Sequence, residues 1–451
     1  MNHPAASDRT LNPIIVPDAV CTACGCICDD IELHVQAERI AEARNACDRG
    51  SASLVGDHAR DQVACLVDGR PASVEDGIDR AARILAEARY PLVFGLGEST
   101  SEAQRAAVSL GDRVGACIDV PSGGESTIAL QAVGEVTCTL GEIKNRGDLI
   151  VVWGADPLES HPRLFSRYAL DPKGTFLPDG RSDRYCVIVD VRETESVREA
   201  ADQFIAIQQG RNFEALWVLR ALARGIELDA DEVEAATGAP LGTWQALMER
   251  MKAAKYGVLF YGAGPATART GQSMAHAVHA LTRDMNALTR FVCMPLDEGR
   301  NGTGARNVLT WQTGNPFAVS LARGYPRCGP GEFNAGQLLS RGEADAALIV
   351  SGGAITGLSD RAREHLSTIP SIVLDSAGAV TGFHPAVVFQ TAVFGVHTAG
   401  TVYRMDGVPL PLRAALASSL PSPEQVLRAI EERVRGGALS LTSSGKAEQC
   451  P

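Results

Sequence analysis

Short apolar runs recur along the chain, and each is followed by turn residues and often by a stretch with helical periodicity. The runs have the sequences YPLVFGLG, GDLIVVWGAD, DRYCVIVDV, KYGVLFYGAG, ADAALIVSGG and IPSIVLDS. They are apolar at almost every position, as a strand buried on both faces of a parallel sheet requires. Strands of this kind, alternating with helices, build doubly wound domains. The pattern therefore predicts an α/β fold with several doubly wound parallel sheets.

The N-terminal part of the chain carries a cysteine cluster. Cys21, Cys24 and Cys28 have the spacing C-x2-C-x3-C, and Cys47 follows in the segment RNACDRG. Soft thiolate ligands at such spacing are typical of iron–sulfur clusters; a four-thiolate zinc site and a set of buried structural cysteines are the alternatives. The spacing leaves open which of Cys24, Cys26 and Cys28 are ligands. Twelve cysteines in 451 residues are too few for a disulfide scaffold, so the cluster favours a metal.

The cysteine cluster should lie on a small β-rich cap. Between the cysteines, Ile31, Leu33 and Val35 alternate with polar residues, and the apolar pattern resumes at Ile40, which predicts a hairpin.

Near the other end of the chain, the segment PSPEQVLRAIEERVRG predicts a helix that ends at Gly436–Gly437. The predicted regions are a tail over 1–16, the cap over 17–70, α/β structure over 71–250, a second α/β region over 251–383, a closing region of β structure, loops and a helix over 384–435, and a tail over 436–451.

The charge balance limits the partners of the chain. Lys and Arg number 42 against 54 Asp and Glu, which gives a formal net charge of −12 and would repel a nucleic acid. No apolar run is long enough for a membrane span, and the sequence MNHPAASDRT lacks the design of a signal peptide. We therefore expect a cytoplasmic protein without nucleic-acid or membrane partners.

Glycine-rich turns follow several of the predicted strands. Backbone N–H groups at such turns can bind phosphate, and ligands of open α/β sheets bind at these strand ends. The candidate cofactor-binding residues are Gly95, Gly97, Gly154, Gly262 and Gly264. None of the turns completes G-x-G-x-x-G or a P-loop, which argues against a simple dinucleotide dehydrogenase and against a nucleotide hydrolase. The hydrolase motifs G-x-S-x-G and H-E-x-x-H are also missing from the sequence.

Single histidines and arginines near the predicted strands are further candidates. His161 and His384 would serve as ligands or proton carriers, with hydrogen-bonded structural roles as the alternative. Guanidinium groups can bind phosphate or carboxylate with two hydrogen bonds, with exposure to solvent as the alternative. The arginines in question are Arg163, Arg167, Arg323 and Arg327.

Four separated segments, in the same order, resemble the B subunit of formylmethanofuran dehydrogenase. They are CTACGCICDDIELHV with RNAC, VGEVTCTLGEIKNRGDLIVVWGADPLESHPR, NVLTWQTGNPFAVSLARGYPR and VFGVHTAGTVYRMDGVPLPLR, and the match spans about residues 17–435. The resemblance implies a molybdopterin-oxidoreductase-like fold, in which an N-terminal 4Fe–4S cluster feeds electrons to tungsten or molybdenum held by two pterin guanine dinucleotides. It implies that Cys21, Cys24, Cys28 and Cys47 bind the cluster, that the glycine turns face the pterins, and that Arg323 lies near the metal.

The sequence departs from this family at the metal. The family's metal-binding cysteine lies in a Cys-His-Gly-Pro-Ser segment shortly before the VGE-like motif. Counting back from Val133–Gly134 without gaps places Ser122 at that cysteine and Gly123 at the histidine that follows it. Cys117 would replace the ligand if the alignment contained a local gap. A serinate at Ser122 is the other alternative, because serine binds molybdenum in other members of the fold.

The resemblance extends to a relative without the metal site, the B subunit of the bacterial formyltransferase/hydrolase complex. There a formyl group passes from tetrahydromethanopterin to a methanofuran-like carrier and is hydrolysed to formate by a metal-dependent A subunit. The leading hypothesis is a component of such a complex that is similar to the B subunit of formylmethanofuran dehydrogenase, without an active tungsten or molybdenum centre and with the other subunits as partners. An active tungsten or molybdenum dehydrogenase subunit and an iron–sulfur or zinc scaffold protein are the alternatives.

Overall fold

A computed structural model gives the structure of the chain. It describes residues 14–56, 63–120, 124–262, 268–296, 300–376 and 382–443. Among these residues, none of the helices combines the length and the apolar character that crossing a bilayer requires.

The strands of the described residues follow the chain in this order: β1 Ile14–Ala19, β2 Ile31–Gln36, β3 Arg39–Arg44, β4 Cys65–Val67, β5 Arg70–Pro71, β6 Pro91–Phe94, β7 Cys117–Asp119, β8 Leu149–Trp153, β9 Tyr185–Asp190, β10 Gln203–Ala206, β11 Gly257–Tyr261, β12 Phe291–Pro295, β13 Val319–Ser320, β14 Arg327–Cys328, β15 Ala346–Val350, β16 Ser371–Asp375, β17 Val387–Gln390, β18 Gly400–Tyr403 and β19 Pro409–Leu412.

The helices are α1 Asp48–Leu54, α2 Val74–Glu87, α3 Ser101–Arg113, α4 Gly124–Val133, α5 Leu140–Arg146, α6 Pro157–Ser160, α7 Glu195–Ala200, α8 Asn212–Ala223, α9 Ala230–Thr237, α10 Leu241–Ala253, α11 Ala268–Met285, α12 Gly302–Thr313, α13 Ala335–Arg341, α14 Asp360–Leu366 and α15 Pro423–Ser443. Short 3-10 helices cover Leu96–Glu98, Gly180–Asp183 and Gly352–Gly357, and a π-helical turn covers Phe165–Ala169.

The larger sheet has nine strands in the order β14-β13-β7-β6-β15-β16-β17-β4-β5. Its five central strands, β7 to β17 in that order, are parallel, and antiparallel strands flank them on both sides. The chain runs from β6 outward to β7 and later returns to β15 on the other side of β6. The strand order therefore reverses between β6 and β15, and ligands of open α/β sheets bind outside such a switch point.

The second sheet has five parallel strands in the order β10-β9-β8-β11-β12. Its strand order reverses between β8 and β11, which gives this sheet a switch point of its own. Helices α10 and α11 cover one face, where Trp244 and Val278 belong to the same hydrophobic cluster as side chains of the sheet. Val152 and Phe260, on the other face, belong to the same hydrophobic cluster as Cys24 in the N-terminal cap. The cap therefore packs directly on the five-stranded sheet.

The cap is built on the predicted hairpin. Strands β2 and β3 pair antiparallel, with β1 on the outer side of β2. The two residues between them, Ala37 and Glu38, have φ angles of 51° and 58°, the conformation of a tight hairpin turn. The inward side chains of Ile31, Leu33 and Ile40 are at most 1% exposed. The alternation seen in the sequence is thus the inward face of this sheet.

The apolar runs form β6, β8, β9, β11, β15 and β16, so the prediction of buried parallel strands is confirmed. The predicted regions do not coincide with the sheets, because β4 from the cap region and β17 from the closing region are neighbours in the nine-stranded sheet.

The predicted end of the last helix was wrong. Helix α15 continues through Gly436 and Gly437 to Ser443, since a glycine inside a helix costs only about 1 kcal/mol.

Candidate functional site

The cysteine loop folds back on itself before β2. The backbone N–H of Cys21 donates to the carbonyl of Cys28 at 2.8 Å, and that of Ile27 donates to the carbonyl of Cys24 at 3.2 Å. Ile27 is fully buried and has a φ of 38°, which turns the loop tightly. Cys21, Cys24 and Cys28 are at most 6% exposed, and so is Cys26. The described cysteines are free thiols, so no disulfide competes for these sulfur atoms.

Cys47 reaches the loop because the hairpin returns the chain to it. Its Sγ accepts the N–H of Gly50 at 3.4 Å and so begins α1. A Cβ added to Gly50 would lie 3.0 Å from Cys21 Sγ and 3.7 Å from Cys47 Sγ. The glycine therefore leaves room for two sulfur atoms that are 26 positions apart in the sequence.

Burial keeps the thiols of this loop neutral when nothing is bound to them. Burial, together with the thiols of Cys28, Cys24 and Cys47, raises the pKa of Cys21 to about 12. Burial also raises the pKa of Cys28, although Arg163 and Arg167 act in the opposite direction. Thiolates in such a place need a bound cation, because ligation replaces the lost hydration.

The cysteine site is better suited to a cluster than to a single metal ion. In the part of the chain that the structure describes, no three side chains of the His, Cys, Asp and Glu types stand close enough to surround one metal ion. Each cysteine of a 4Fe–4S cluster binds a different iron, so its ligands surround a larger object than one ion. Four thiols in one cap, with basic side chains beside them, suit such an anionic cluster.

Two arginines that the sequence predicts as anion contacts bind carboxylates of the cap. Arg163 donates from Nη1 and Nη2 to the two carboxylate oxygens of Asp30 at 2.6 and 2.7 Å. Arg167 Nη2 donates to Asp29 Oδ1 at 2.5 Å. Both arginines follow β8, so these ion pairs fix the cap to the end of the five-stranded sheet. A third arginine, Arg49, adds a hydrogen bond to the carbonyl of Ser160 at 3.3 Å.

Gly154 and Gly262 meet at the switch point of the five-stranded sheet. A Cβ on Gly262 would lie 2.5 Å from the carbonyl oxygen of Gly154, which itself has a φ of 61°. Asp156 follows on the same edge, and its carboxylate accepts the N–H groups of Glu195 and Ser196 at 3.0 and 3.2 Å. The structure thus brings these two glycines together and places a carboxylate beside them. Gly264 lies outside the described residues.

Gly95 lies at the switch point of the nine-stranded sheet. Its φ is 94°, and an added Cβ would lie 2.7 Å from the carbonyl oxygen of Val350, so the turn after β6 packs against the turn after β15. Gly97 has open space around it. Ser351, in the facing turn, has a φ of 86° and donates its hydroxyl to Glu98 Oε2 at 2.9 Å.

Carboxylates also line this second switch point. Asp375 Oδ2 accepts the N–H of Gly352 at 2.7 Å, and Arg300 Nε lies 3.2 Å from Glu98 Oε1. The sequence analysis missed Glu98, Ser351 and Asp375, because their proximity depends on the strand order. The only sequence signal for them is that each follows or ends an apolar run.

Arg323, His161 and His384, which the sequence also predicts as site residues, do not line either switch point. Arg323 is exposed in the turn between β13 and β14. Because β13 runs antiparallel to β7, this turn lies at the amino end of β7, on the edge of the sheet opposite Gly95. His161 is fully buried and hydrogen-bonds Ser160 Oγ at 3.0 Å, whereas His384 is exposed.

The resemblance offers two alternatives for the metal ligand, Ser122 and Cys117. Ser122 lies outside the described residues. Cys117 is fully buried at the start of β7, in the core cluster that includes Phe94. Burial raises the pKa of this thiol and so favours its neutral form, as is typical of a cysteine in a hydrophobic core.

Comparison with known proteins identifies relatives over most of the chain, although no family model matches it. The B subunit of tungsten-containing formylmethanofuran dehydrogenase 2 from Methanocaldococcus jannaschii is 36% identical over 425 residues, which cover 92% of this chain and 95% of the relative. The B subunit of the formyltransferase/hydrolase complex Fhc from Methylorubrum extorquens is 30% identical over 290 residues, which cover 63% of this chain and 74% of the relative.

Two solved structures share the fold. The formyltransferase/hydrolase complex FhcABCD of Methylorubrum extorquens with methylofuran contains a chain that matches with a TM-score of 0.67 at 28% identity, covering 83% of this chain and all of that one. Acetylene hydratase of Pelobacter acetylenicus matches with a TM-score of 0.62 at 10% identity, covering 94% of this chain and 69% of that one. The second likeness concerns the fold alone, and it confirms the expected α/β architecture. The iron–sulfur cap stays a prediction.

Proposed function

The chain belongs to the family of formylmethanofuran dehydrogenase B subunits, and from this premise we propose that it is the B subunit of a formyltransferase/hydrolase complex and has no tungsten or molybdenum centre of its own. The complex would pass a formyl group from tetrahydromethanopterin to a methanofuran-like carrier and release formate at another subunit. The single observation that carries the proposal is that Ser122 stands where the ungapped count back from Val133–Gly134 places the family's metal-binding cysteine. A thiolate is a soft, anionic ligand at neutral pH, and a serine hydroxyl is neither.

The carboxylates at the two switch points support the absence of pterin dinucleotides. A diphosphate binds to free N–H groups, but the N–H of Gly352 is already bonded to Asp375, and Ser351 is bonded to Glu98. At the other sheet, Asp156 stands beside Gly154 and Gly262. A diphosphate at either turn would lie next to like charge, which disfavours a pterin dinucleotide at these described residues.

The four-cysteine site is the part of the redox machinery that we propose the chain retains. Cys21, Cys24, Cys28 and Cys47 would bind a 4Fe–4S cluster, which would supply one-electron transfer when bound. The chain's own contribution is to bury the sulfur atoms, to leave space at Gly50 and to fix the cap through the two arginines after β8. Retention of these features distinguishes the chain from a purely structural component.

A second function is favoured by a specific observation. The match to the tungsten-containing relative has a higher identity and is longer than the match to the Fhc relative, and this chain has the four cysteines of the cap. Both features favour an active tungsten or molybdenum dehydrogenase subunit that uses Ser122 as a ligand. The burial of Cys117 in β7 argues against Cys117 in that role.

An activity comparison separates the two functions. The chain would be produced with its partner subunits and purified without oxygen. We expect formate release from a formylated carrier and no reduction of viologen dye by formylmethanofuran. Robust dye reduction that is abolished in S122A and kept in C117S would overturn the proposal in favour of the dehydrogenase. The C117S variant is the matched control, because it removes the other candidate ligand.

A further inference from the structure

Two polar groups next to the cysteine loop are buried without hydrogen-bond partners in the described residues. They are Nη1 of Arg167 and the hydroxyl of Tyr168. Tyr168 is only 6% exposed. A buried polar group without a partner costs about 1–3 kcal/mol, so such groups in a native protein call for an explanation. A group bound at the cysteine loop would supply the missing partner.

The orientation of Arg167 is fixed from one side. Its Nη2 donates to Asp29 at 2.5 Å, and its guanidinium lies 5.0 Å from the centre of the Tyr168 ring. Nη1 lies 3.4 Å from Asp30 Oδ1, within ion-pair distance, but it makes no hydrogen bond to that oxygen. The guanidinium is thus held in place by Asp29 and Asp30, and Nη1 is left without a hydrogen-bond partner among the described residues.

Both groups belong to the turn that covers the cysteine loop. They lie within the π-helical turn Phe165–Ala169, and a thiolate at Cys28 would interact electrostatically with both side chains. π-helical turns are rare and frequently occur at functional sites. Arg404 lies 5.6 Å from the same tyrosine ring and is paired with the buried Asp406 at 2.7 Å, so it adds little net charge.

We propose that Arg167 and Tyr168 donate hydrogen bonds to the sulfur atoms of the cluster bound by the four-cysteine site and thereby raise its reduction potential. This inference rests on the proposed function, since it requires the cluster. When one electron enters the cluster from an external donor such as dithionite, the sulfur atoms become more negative. Hydrogen bonds and a fixed positive charge stabilise that reduced form more than the oxidised form.

The test is a redox titration of the full chain, reconstituted without oxygen with iron and sulfide and followed by electron paramagnetic resonance. Y168F removes one hydroxyl and keeps the ring, and R167Q removes the charge. Both variants should have more negative midpoint potentials than the wild type, and R167K should lie between wild type and R167Q. A tenfold loss of preference for the reduced form corresponds to ~59 mV for a one-electron couple. R211Q, which alters an exposed arginine just before α8, is the control and should match the wild type.

The outcomes separate the two proposals. If the wild-type chain forms a cluster and both Y168F and R167Q keep its potential, the inference is overturned while the cluster stands. If the wild-type chain forms no cluster, or binds only zinc, the cluster and the inference are both overturned. R167Q also removes the hydrogen bond to Asp29, and its loss could unfold the cap. In that case Y168F alone tests whether these side chains raise the reduction potential, because this variant removes only one buried oxygen.

Discussion

Arg163 binds both carboxylate oxygens of Asp30, at 2.6 and 2.7 Å, and so joins the end of the five-stranded sheet to the N-terminal cap. The two residues are 133 positions apart in the sequence. Burial alone would raise the pKa of Asp30, but Arg163 and Arg167 outweigh it and hold the pKa below its usual value. The cap is therefore attached by charge as well as by its apolar contacts with Val152 and Phe260.

Loss of this pair should loosen the cap. R163Q removes two charge-assisted hydrogen bonds and is expected to lower the free energy of unfolding by about 2 kcal/mol. Urea unfolding measures this loss, and limited proteolysis should show faster cleavage within residues 14–56. The control is R44Q, which removes an exposed arginine on β3 and should leave unfolding unchanged. A wild-type unfolding curve for R163Q would contradict the attachment by charge.

The carboxylate of Asp119 should make stability depend on pH. It ends β7 and accepts the N–H groups of Ala318 and Ala335 at 3.1 and 2.8 Å. Burial raises its pKa from 3.8 to about 6. The folded chain therefore holds this proton more tightly than the unfolded chain, and the stabilisation is lost as the pH rises through 6.

For this group we expect the free energy of unfolding to fall by about 2 kcal/mol between pH 4 and 7. D119N should remove this component, whereas D231N, an exposed residue on α9, should keep it. Denaturant unfolding at several pH values measures the slope. A slope in D119N equal to that of the wild type would rule out Asp119 as its source.

The turn after β6 offers a matched pair of glycines. G95A would force a side chain into a φ of 94° and place its Cβ 2.7 Å from a carbonyl oxygen, whereas G97A meets nothing within 4 Å. We expect G95A to cost about 2 kcal/mol or more and G97A to cost little. Thermal unfolding of the two variants compares them directly. Equal losses would show that the contact between the two turns is not formed as described.

Gly50 should matter for cluster binding rather than for the helix. In G50A the added methyl group would lie 3.0 Å from Cys21 Sγ, although alanine is the better helix former. We expect less iron per chain and weaker absorbance near 400 nm after anaerobic reconstitution. G336A is the matched control, because this glycine also lies in a helix and its added Cβ would have a contact only at 3.9 Å. Undiminished iron in G50A would contradict the convergence of Cys21 and Cys47 at this point.

The strands and the hairpin of the cap could be predicted from the sequence. A strand buried on both faces is a continuous apolar run, and a strand buried on one face alternates apolar and polar residues. The sequence was not sufficient for the switch points. Gly154 and Gly262 meet only because β8 and β11 are neighbours, and no local pattern encodes that pairing. Arg163 shows the same limit, since an arginine after a strand has the same sequence pattern whether it binds phosphate or a carboxylate of the cap.

Arg323 illustrates a further limit of local reasoning. Its placement near the metal came from the resemblance, and the direction of β13 decides where the following turn lies. An antiparallel strand at the edge of a parallel sheet sends the turn after it to the amino end of the sheet. The two-residue strand β13 carries no signal of its direction in the sequence.

Elemental analysis of the complex purified without oxygen tests most directly whether this chain lacks tungsten and molybdenum, with iron and zinc measured in the same sample. We expect about four iron atoms per chain and neither tungsten nor molybdenum above background. About one tungsten or molybdenum atom per chain, together with pterin released on denaturation, would contradict it.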